Sequence, residues 1–344
     1  MRSLLPLGER ITLKHGAGGR AMRALIEQLF VEGAESPAGG VGLREMDDGA
    51  ALPVGDRFLV LTTDSHVIHP LFFPGGDIGR LAVAGTVNDL AMMGATEVLA
   101  LTCAVIVEDG FPSAQLEAIQ ASIRATSREA AAPIVTGDTK VMGRGELDGL
   151  VLNTAGVAFT DHVVRDSGLR PGDRILVTGT VADHGFAVLA ARHKLQLEGE
   201  LRSDVAPINA LVQRALAAGG GSVVAMKDPT RGGVASALHE MAEKSGVGVV
   251  LEERSIPLRG PVRAASELLG IDPLHVANEG KALLGVRPEA VERVLAALRS
   301  HPLGQEAAVV GTCIAEHQGR VILDTGLGRR LLAEPEGEPL PRIC

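Results

Sequence analysis

A chain of 344 residues with 46% hydrophobic side chains is large enough for two domains, and with no Trp or Tyr and only seven Phe their cores must be aliphatic. The scarcity of aromatic rings and a formal charge of −9 argue against DNA or RNA as a partner. No apolar run reaches the roughly 20 charge-free residues of a membrane span, so no membrane association is expected. Three cysteines and the lack of a secretory leader pattern predict a reducing, cytoplasmic setting.

Residues 1–40 read as a Gly-rich N-terminal segment carrying Lys14-His15-Gly16-Ala17-Gly18-Gly19, with a short helix expected over 20–30. A first α/β domain is expected over 41–168. Its loop at 33–49 ends in Met46-Asp47-Asp48-Gly49-Ala50, and Phe58 to Asp64 reads as a strand ending on a carboxylate. Asp77 to Met93 reads as a helix stopped by Gly94. Val98 to Val107 reads as a strand, and Ser113 to Ala130 as a helix with Ser113 as its N-cap. Ile134 to Thr136 reads as a strand running into Gly137-Asp138-Thr139-Lys140, and Leu150 to Phe159 as another strand.

The stretch from Asp166 to Asp173 is polar and rich in helix breakers, which marks the domain boundary. A second α/β domain is expected over 169–332. Strands are expected near 174–178, 222–226, 247–252, 281–286, 307–315 and 320–323. Helices are expected near 183–193, 206–218, 232–245, 260–269 and 288–299. Alternating strands and helices in both halves predict packed α/β or α+β layers.

Residues 333–344 read as a mobile tail with Pro335, Pro339 and Pro341, ending in Cys344. Polyproline-like backbone at about 3.1 Å per residue would carry a terminal thiol on the order of 35–40 Å, enough to serve two separate sites. Cys103 and Cys313 sit in apolar strand-like runs and read as core residues. The thiol of Cys344 is flanked by an α-carboxylate that disfavours thiolate and by Arg342 that favours it, so its reactive environment must come from elsewhere.

Six segments set carboxylates at element ends or among apolar residues: Asp47/Asp48, Asp64, Asn88-Asp89, Asp138, Asp228 and Asn278-Glu279. Asn88-Asp89 lies in a helix apolar on nearly every face, where a buried carboxylate needs a partner or a metal; a solvent gap would serve as well. Asp spread over loop ends suits a Mg²⁺–triphosphate site, because Mg²⁺ takes few protein carboxylates and several phosphate oxygens. Lys140, Arg231 and Lys281 are the cations that would meet the phosphates. Asp228-Pro229-Thr230-Arg231-Gly232-Gly233 opens a helix, as an anion site or as an ordinary capped start. There is no Walker A pattern, and the ten His show no zinc-ligand spacing; His66, His69 and His184 read as structural or solvated.

Nine segments spanning essentially the whole chain resemble the aminoimidazole-ribonucleotide-synthetase-like (PurM-like) ATP-using superfamily. They are His15-Gly-Ala-Gly-Gly19, Met46-Asp-Asp-Gly-Ala50, Thr62-Thr-Asp-Ser-His66, Val87-Asn-Asp-Leu-Ala91, Gly137-Asp-Thr-Lys140, Asn153-Thr-Ala-Gly156, Asp228-Pro-Thr-Arg-Gly-Gly233, Asn278-Glu-Gly-Lys281 and the closing Pro341-Arg-Ile-Cys344. The last motif, absent from sister enzymes, resembles that of the carbamoyl dehydratase family of hydrogenase maturation.

The resemblance implies a two-domain fold whose N-terminal sheet pairs across a homodimer, with the nucleotide by the dimer interface. It implies that the carbamoyltransferase HypF loads a carbamoyl group on Cys344. ATP with Mg²⁺ then dehydrates that group to a thiocyanate, and the cyano group passes to iron on a HypC–HypD scaffold. On that reading Cys344, Glu279 and Lys140 are catalytic, with Lys140 alternatively only a phosphate ligand. Asp64, Asp138, Lys140 and Asn88 support the nucleotide, and Asp48, Asp89 and Asp228 hold the metal. The competing readings are another ATP-dependent kinase or synthetase of the superfamily, and a non-catalytic thiol carrier with a regulatory ATP site.

Overall fold

A computed structural model of the chain describes residues 10–16, 18–195, 199–335 and 343–344. The expected extended course of the tail over 336–342 lies outside the described residues. The first half contributes β1 (Ala50–Val54), β2 (Arg57–His66), the small hairpin β3 (Phe72–Phe73) and β4 (Gly76–Asp77), β5 (Val98–Glu108), β6 (Ile134–Met142) and β7 (Leu150–Thr160). Five of these form one sheet in the order β1-β2-β7-β5-β6, with only the β5–β6 pair parallel. Helices α1 (Gly19–Ile26), α2 (Ile78–Met92) and α3 (Ser113–Glu129) accompany it.

The second half contributes β8 (Arg174–Val177), β9 (Val223–Lys227), β10 (Gly248–Glu252), β11 (Leu283–Val286), β12 (Ala308–Ile314), β13 (Val321–Asp324) and β14 (Arg329–Leu331). They form a sheet in the order β14-β13-β10-β12-β8-β11-β9. Its helices are α4 (Asp183–His193), α5 (Asn209–Gly219), α6 (Gly233–Ser245), α7 (Gly260–Leu269) and α8 (Val291–Arg299). Most neighbouring strands run antiparallel, so α+β is the better description of the expected two-layer class.

Helix α2 is the axis of the first half. Asp77 caps it, accepting hydrogen bonds from the amides of Gly79 (2.7 Å) and Arg80 (2.9 Å). Leu81, Val83, Val87 and Leu90 are fully buried, and Gly94 ends the helix in the left-handed region. Strand β7 alternates without a break: even-numbered residues are buried, odd-numbered ones half-buried. One face of the sheet is therefore covered by α2, and the other is partly open.

Several expectations need correction. Strand β6 does not stop at Thr136 but runs through Asp138 and Lys140 to Met142; an edge strand tolerates the charges that a central strand would not. Strand β1 was not anticipated, because Pro53 interrupts its pattern; on a sheet edge its missing N–H costs little. Pro112, not Ser113, occupies the N-cap of α3, and no side chain caps that end. Helix α6 starts at Gly233 with Gly232 as its N-cap, both in the left-handed region, so Asp228 stands five residues ahead of it rather than capping it. The polar stretch around 166–173 carries two buried acids. Asp166 and Asp173 are both 2% exposed, and Asp173 accepts two hydrogen bonds from Arg287, at 2.6 and 2.8 Å. Cys103 and Cys313 are packed in cores as expected, and burial pushes the Cys313 thiol up to about 12.

Candidate active site

A cavity of about 390 Å³ opens where the two halves meet. Strand β2 brings Thr62 and Asp64 to it, α2 brings Gly85 and Asp89, and the loop before β1 brings Asp48. From the second half come Asp228 and Arg231 after β9, and Glu279 before β11. Cys344 lines the same cavity. A wider cleft of about 660 Å³ lies on the second sheet by Glu252, His317 and Arg329, but it gathers no comparable set of buried charges.

The acids are crowded and short of positive charge. Burial first, then Asp228, Asp64 and Asp48, pushes Asp89 well above the usual carboxylate range. Burial and then Asp48 push Asp228 up to about 8. Burial, followed by Asp228, Asp64 and Asp204, raises Glu279 strongly, and its Oε1 is buried without a hydrogen-bond partner. Arg231 faces this group and is held firmly protonated, foremost by the charge of Cys344 and then by Asp64, Glu279 and Asp89 against the cost of burial. The Thr62 hydroxyl donates to Asp89 at 2.9 Å. Gly85 leaves room below: a Cβ there would lie 2.9 Å from the His66 ring.

Among the described residues no three His, Cys or carboxylate side chains converge closely enough to hold a metal ion alone. The donor set nevertheless fits a divalent cation completed by phosphate oxygens. Asp228, Asp64 and Asp48 raise Asp89, and Asp48 and Asp64 raise Asp228, so negative charge is crowded here without enough positive charge to offset it.

Behind the acids lies a second network, in which each acid meets a cation. Lys227 donates to Asp48 at 2.7 Å and lies 3.3 Å from Glu240. Lys244 donates to Asp166 at 2.5 Å and to Asp47 at 3.2 Å, and Arg165 donates to Asp47 at 3.0 Å. Burial works against the Lys227 charge, yet Asp48, Glu240 and Asp166 outweigh it and keep the amine protonated. This network fixes the Asp47-Asp48 loop against α6. Sequence reading missed Lys227, Lys244 and Glu240; the available signal was a lysine closing the apolar strand β9 directly before Asp228.

Asp48, Asp64, Asp89, Asp228, Glu279 and Cys344 are thus brought together. Asn88 is not with them: its Nδ2 donates to the carbonyls of Ala206 (3.1 Å) and Glu279 (3.3 Å), and its Oδ1 accepts from Ile208 N–H (2.8 Å). It is 2% exposed and spends its amide on backbone, so it is a structural clamp rather than a nucleotide contact. Asn278 acts similarly, donating to Pro229 and Val276 carbonyls and accepting from Ala182. Lys281 pairs with Asp204 at 3.1 Å, away from the cavity.

Asp138 and Lys140 also lie elsewhere. Asp138 stands opposite Ala104, Ala104 opposite Asn153 and Asn153 opposite Ser65, while Asp64 is opposite Thr154. Residues directly opposite share a face, and neighbours along a strand do not. Asp138, and Lys140 two places on, therefore project from the open face, and Asp64 from the α2 face. Both are exposed and paired with each other at 3.2 Å. Within one chain they do not reach the cavity.

The last two residues are seated inside. Ile343 is 2% exposed, and its carbonyl lies 2.7 Å from His184 Nε2. The carbonyl of Cys344 accepts from Val67 N–H at 3.1 Å. At the start of the tail, Glu334 pairs with Arg23, and the Pro335 carbonyl accepts from Arg20 N–H at 3.3 Å.

Comparison with known proteins places the fold in a lineage. The models for the N-terminal and C-terminal domains of AIR synthase related protein match residues 46–160 and 170–324. The carbamoyl dehydratase HypE of Escherichia coli (strain K12) is 45% identical over 342 residues, 97% of this chain and 99% of that protein. A solved HypE–HypF complex superposes with a TM-score of 0.84 at 40% identity, over 91% of this chain and 100% of the other. A hydrogenase maturation protein HypE in complex with ATP superposes at 0.80 and 40% identity, over 97% of this chain and 100% of the other.

Proposed function

We propose an ATP-driven dehydration for this chain, which belongs to the AIR synthase related family and to its HypE branch. The substrate is a carbamoyl group carried as a thioester-like S–C(=O)NH₂ on Cys344. The observation that carries the reading is the seat of Cys344 in the same cavity as Glu279, Asp228 and Arg231. A kinase acting on a free small molecule leaves that seat unexplained.

An amide oxygen leaves only if it is first made a good leaving group. Its attack on the γ-phosphorus of ATP releases ADP, and loss of one N–H proton gives an S–C(=NH)–O-phosphate. Departure of phosphate and of the second N–H proton leaves S–C≡N. Two protons must be taken from one nitrogen. Glu279, which lines the cavity with Oε1 unpartnered, would take them one at a time, passing the first on before it accepts the second. Arg231 meets the phosphates. Asp48, Asp89 and Asp228 would hold Mg²⁺, with Asp64 beside them. That ion, when bound, would neutralise phosphate charge.

A second copy of this chain is the proposed source of Asp138 and Lys140. The open face of the first sheet carries Val151, Ala155, Val157 and Phe159, half-buried, with Leu61 opposite Val157. Covering it with its own twin, as a symmetric dimer does, buries that apolar strip. It also carries two residues of nucleotide-site type toward the neighbouring cavity. The partners proposed beyond the dimer are a HypF-type carbamoyltransferase as donor and a HypC–HypD iron scaffold as acceptor, all in the cytoplasm.

The test is mass spectrometry of the C-terminal peptide. After incubation with HypF and carbamoyl phosphate the peptide should gain the elements of HNCO, and after ATP it should lose one water. A peptide that gains no carbamoyl, or keeps its oxygen in the presence of ATP, overturns the assignment.

A further inference from the structure

We propose that His184, Ser203 and Asp204 form a positioning unit that sets the seat of Cys344 and the placement of Glu279 together. His184 is fully buried, in the first turn of α4. Its Nε2 lies 2.7 Å from the Ile343 carbonyl, an acceptor only, so Nε2 carries the proton. Its Nδ1 is therefore the acceptor, 2.8 Å from the Ser203 hydroxyl, which thus fixes the tautomer that can hold the tail. Phe73 packs edge-on against the ring, with centroids 5.4 Å apart. The hydroxyl of Ser203 also accepts from Val205 N–H at 3.1 Å, so the partner of the histidine is itself anchored.

The neighbouring residue grips the other reacting group. Asp204 accepts from the Glu279 N–H at 3.1 Å and from Lys281 at 3.1 Å. The two segments touch so closely that a Cβ at Gly280 would stand 2.0 Å from the Asp204 carbonyl. Only glycine permits this approach. Glu279 returns a contact through its own carbonyl, which accepts from Ala206 N–H at 3.4 Å. One short segment, 203–206, thus bonds both the histidine that holds Ile343 and the backbone of Glu279. A thiol that must depart for loading and return for dehydration needs a seat of defined depth relative to its base. Two hydrogen bonds flank the terminal residue for that purpose, from His184 to Ile343 and from Val67 to Cys344.

The inference rests on the dehydration proposed above, but its first measurement does not. The rate at which a bulky maleimide labels Cys344 in the full-length protein, without ATP or carbamoyl donor, reports how often the seat opens. His184→Ala should raise that rate roughly five- to tenfold, the worth of about one net hydrogen bond. His184→Gln keeps an amide donor near the position of Nε2 and should restore most of the protection. Cys103 and Cys313 should stay unlabelled in both, which shows that the fold is intact. If His184→Ala exposes those two cysteines, Ser203→Ala is read in its place.

In single-turnover dehydration of the carbamoylated protein, His184→Ala should be slowed while ATP affinity by calorimetry is unchanged. Equal labelling of wild type and a folded His184→Ala protein overturns the positioning unit. A wild-type protein that never forms thiocyanate overturns the reaction instead, and leaves the labelling result standing.

Discussion

Two acidic motifs of the first half look alike in sequence and are opposites in the structure. Asp89 is half-buried, surrounded by other acids and raised in pKa. Asp138 is exposed, paired with Lys140 and held below the usual range foremost by that lysine. The first is charge without compensation, which a cation or phosphate-bound metal would relieve. The second is charge already satisfied, with no reason within one chain to be where it is. The difference teaches that a motif marks a site only once its face is known. One motif belongs to this chain's own cavity, and the other lies outside it, on the face where a second copy is proposed.

The largest effect should come from the base inside the cavity. Glu279→Gln keeps size and hydrogen bonding but removes the acceptor of the amide protons. Dehydration should fall about 10²–10⁴-fold, the usual reach of a general base, while carbamoyl loading and ATP binding persist. Quantifying thiocarbamate against thiocyanate on the C-terminal peptide decides it, and a normal yield of thiocyanate removes Glu279 from the mechanism. Cys344→Ala should show neither adduct.

Asp89→Asn and Asp228→Asn probe the uncompensated charge itself. Each should weaken Mg²⁺–ATP by at least about tenfold in calorimetry, roughly 1.4 kcal/mol. Without ligand each should leave the melting temperature unchanged or raise it, since a buried like-charge contact is lost. Variants that bind Mg²⁺–ATP normally would show that the crowding serves something else.

The neighbour's motif is tested by mixing. Lys140→Ala and Glu279→Gln proteins should each be inactive alone. If Lys140 acts across a symmetric dimer, random mixed dimers hold one complete site in two, and about a quarter of wild-type activity returns. If Lys140 acts within its own chain, mixing restores nothing.

The sequence made the acids of the cavity legible because carboxylates in apolar runs are costly and conspicuous, as Asp89 in α2 and Asp228 after β9 show. The strand at β7 and the stop at Gly94 were equally plain. What sequence could not separate was a carboxamide bound to substrate from one bound to backbone, and Asn88 proved to be the latter. Nor could it tell which face of β6 carries Lys140, because face depends on pairing with β5 and β7 rather than on local pattern. His184 reads from sequence only as structural or solvated for a similar reason: its partners, Ser203 and Ile343, are far away in sequence.

The smallest expected effect concerns Asp166, in the paired network behind the cavity. Burial foremost, and its hydrogen bond to Asp47, push its carboxyl up to about 7 from an ordinary 3.8. Below the lower value Asp166 is protonated whether the chain is folded or not, and its share of stability is fully present. As pH rises toward 7 the unfolded chain releases the proton while the folded chain keeps it, so stability declines across that window. Asp47 is held low by Asp166, Lys244 and Arg165 against its own burial, so its opposite dependence falls at lower pH and does not mask the slope. Asp166→Asn still presents a donor to Asp47 but cannot ionise. Urea midpoints of the two proteins should therefore converge as pH is raised from 4.5 to 7, with the wild type losing the more. Parallel midpoints over that range would mean that Lys227 and Lys244 keep Asp166 charged throughout, and that the network behind the cavity is fully ionic.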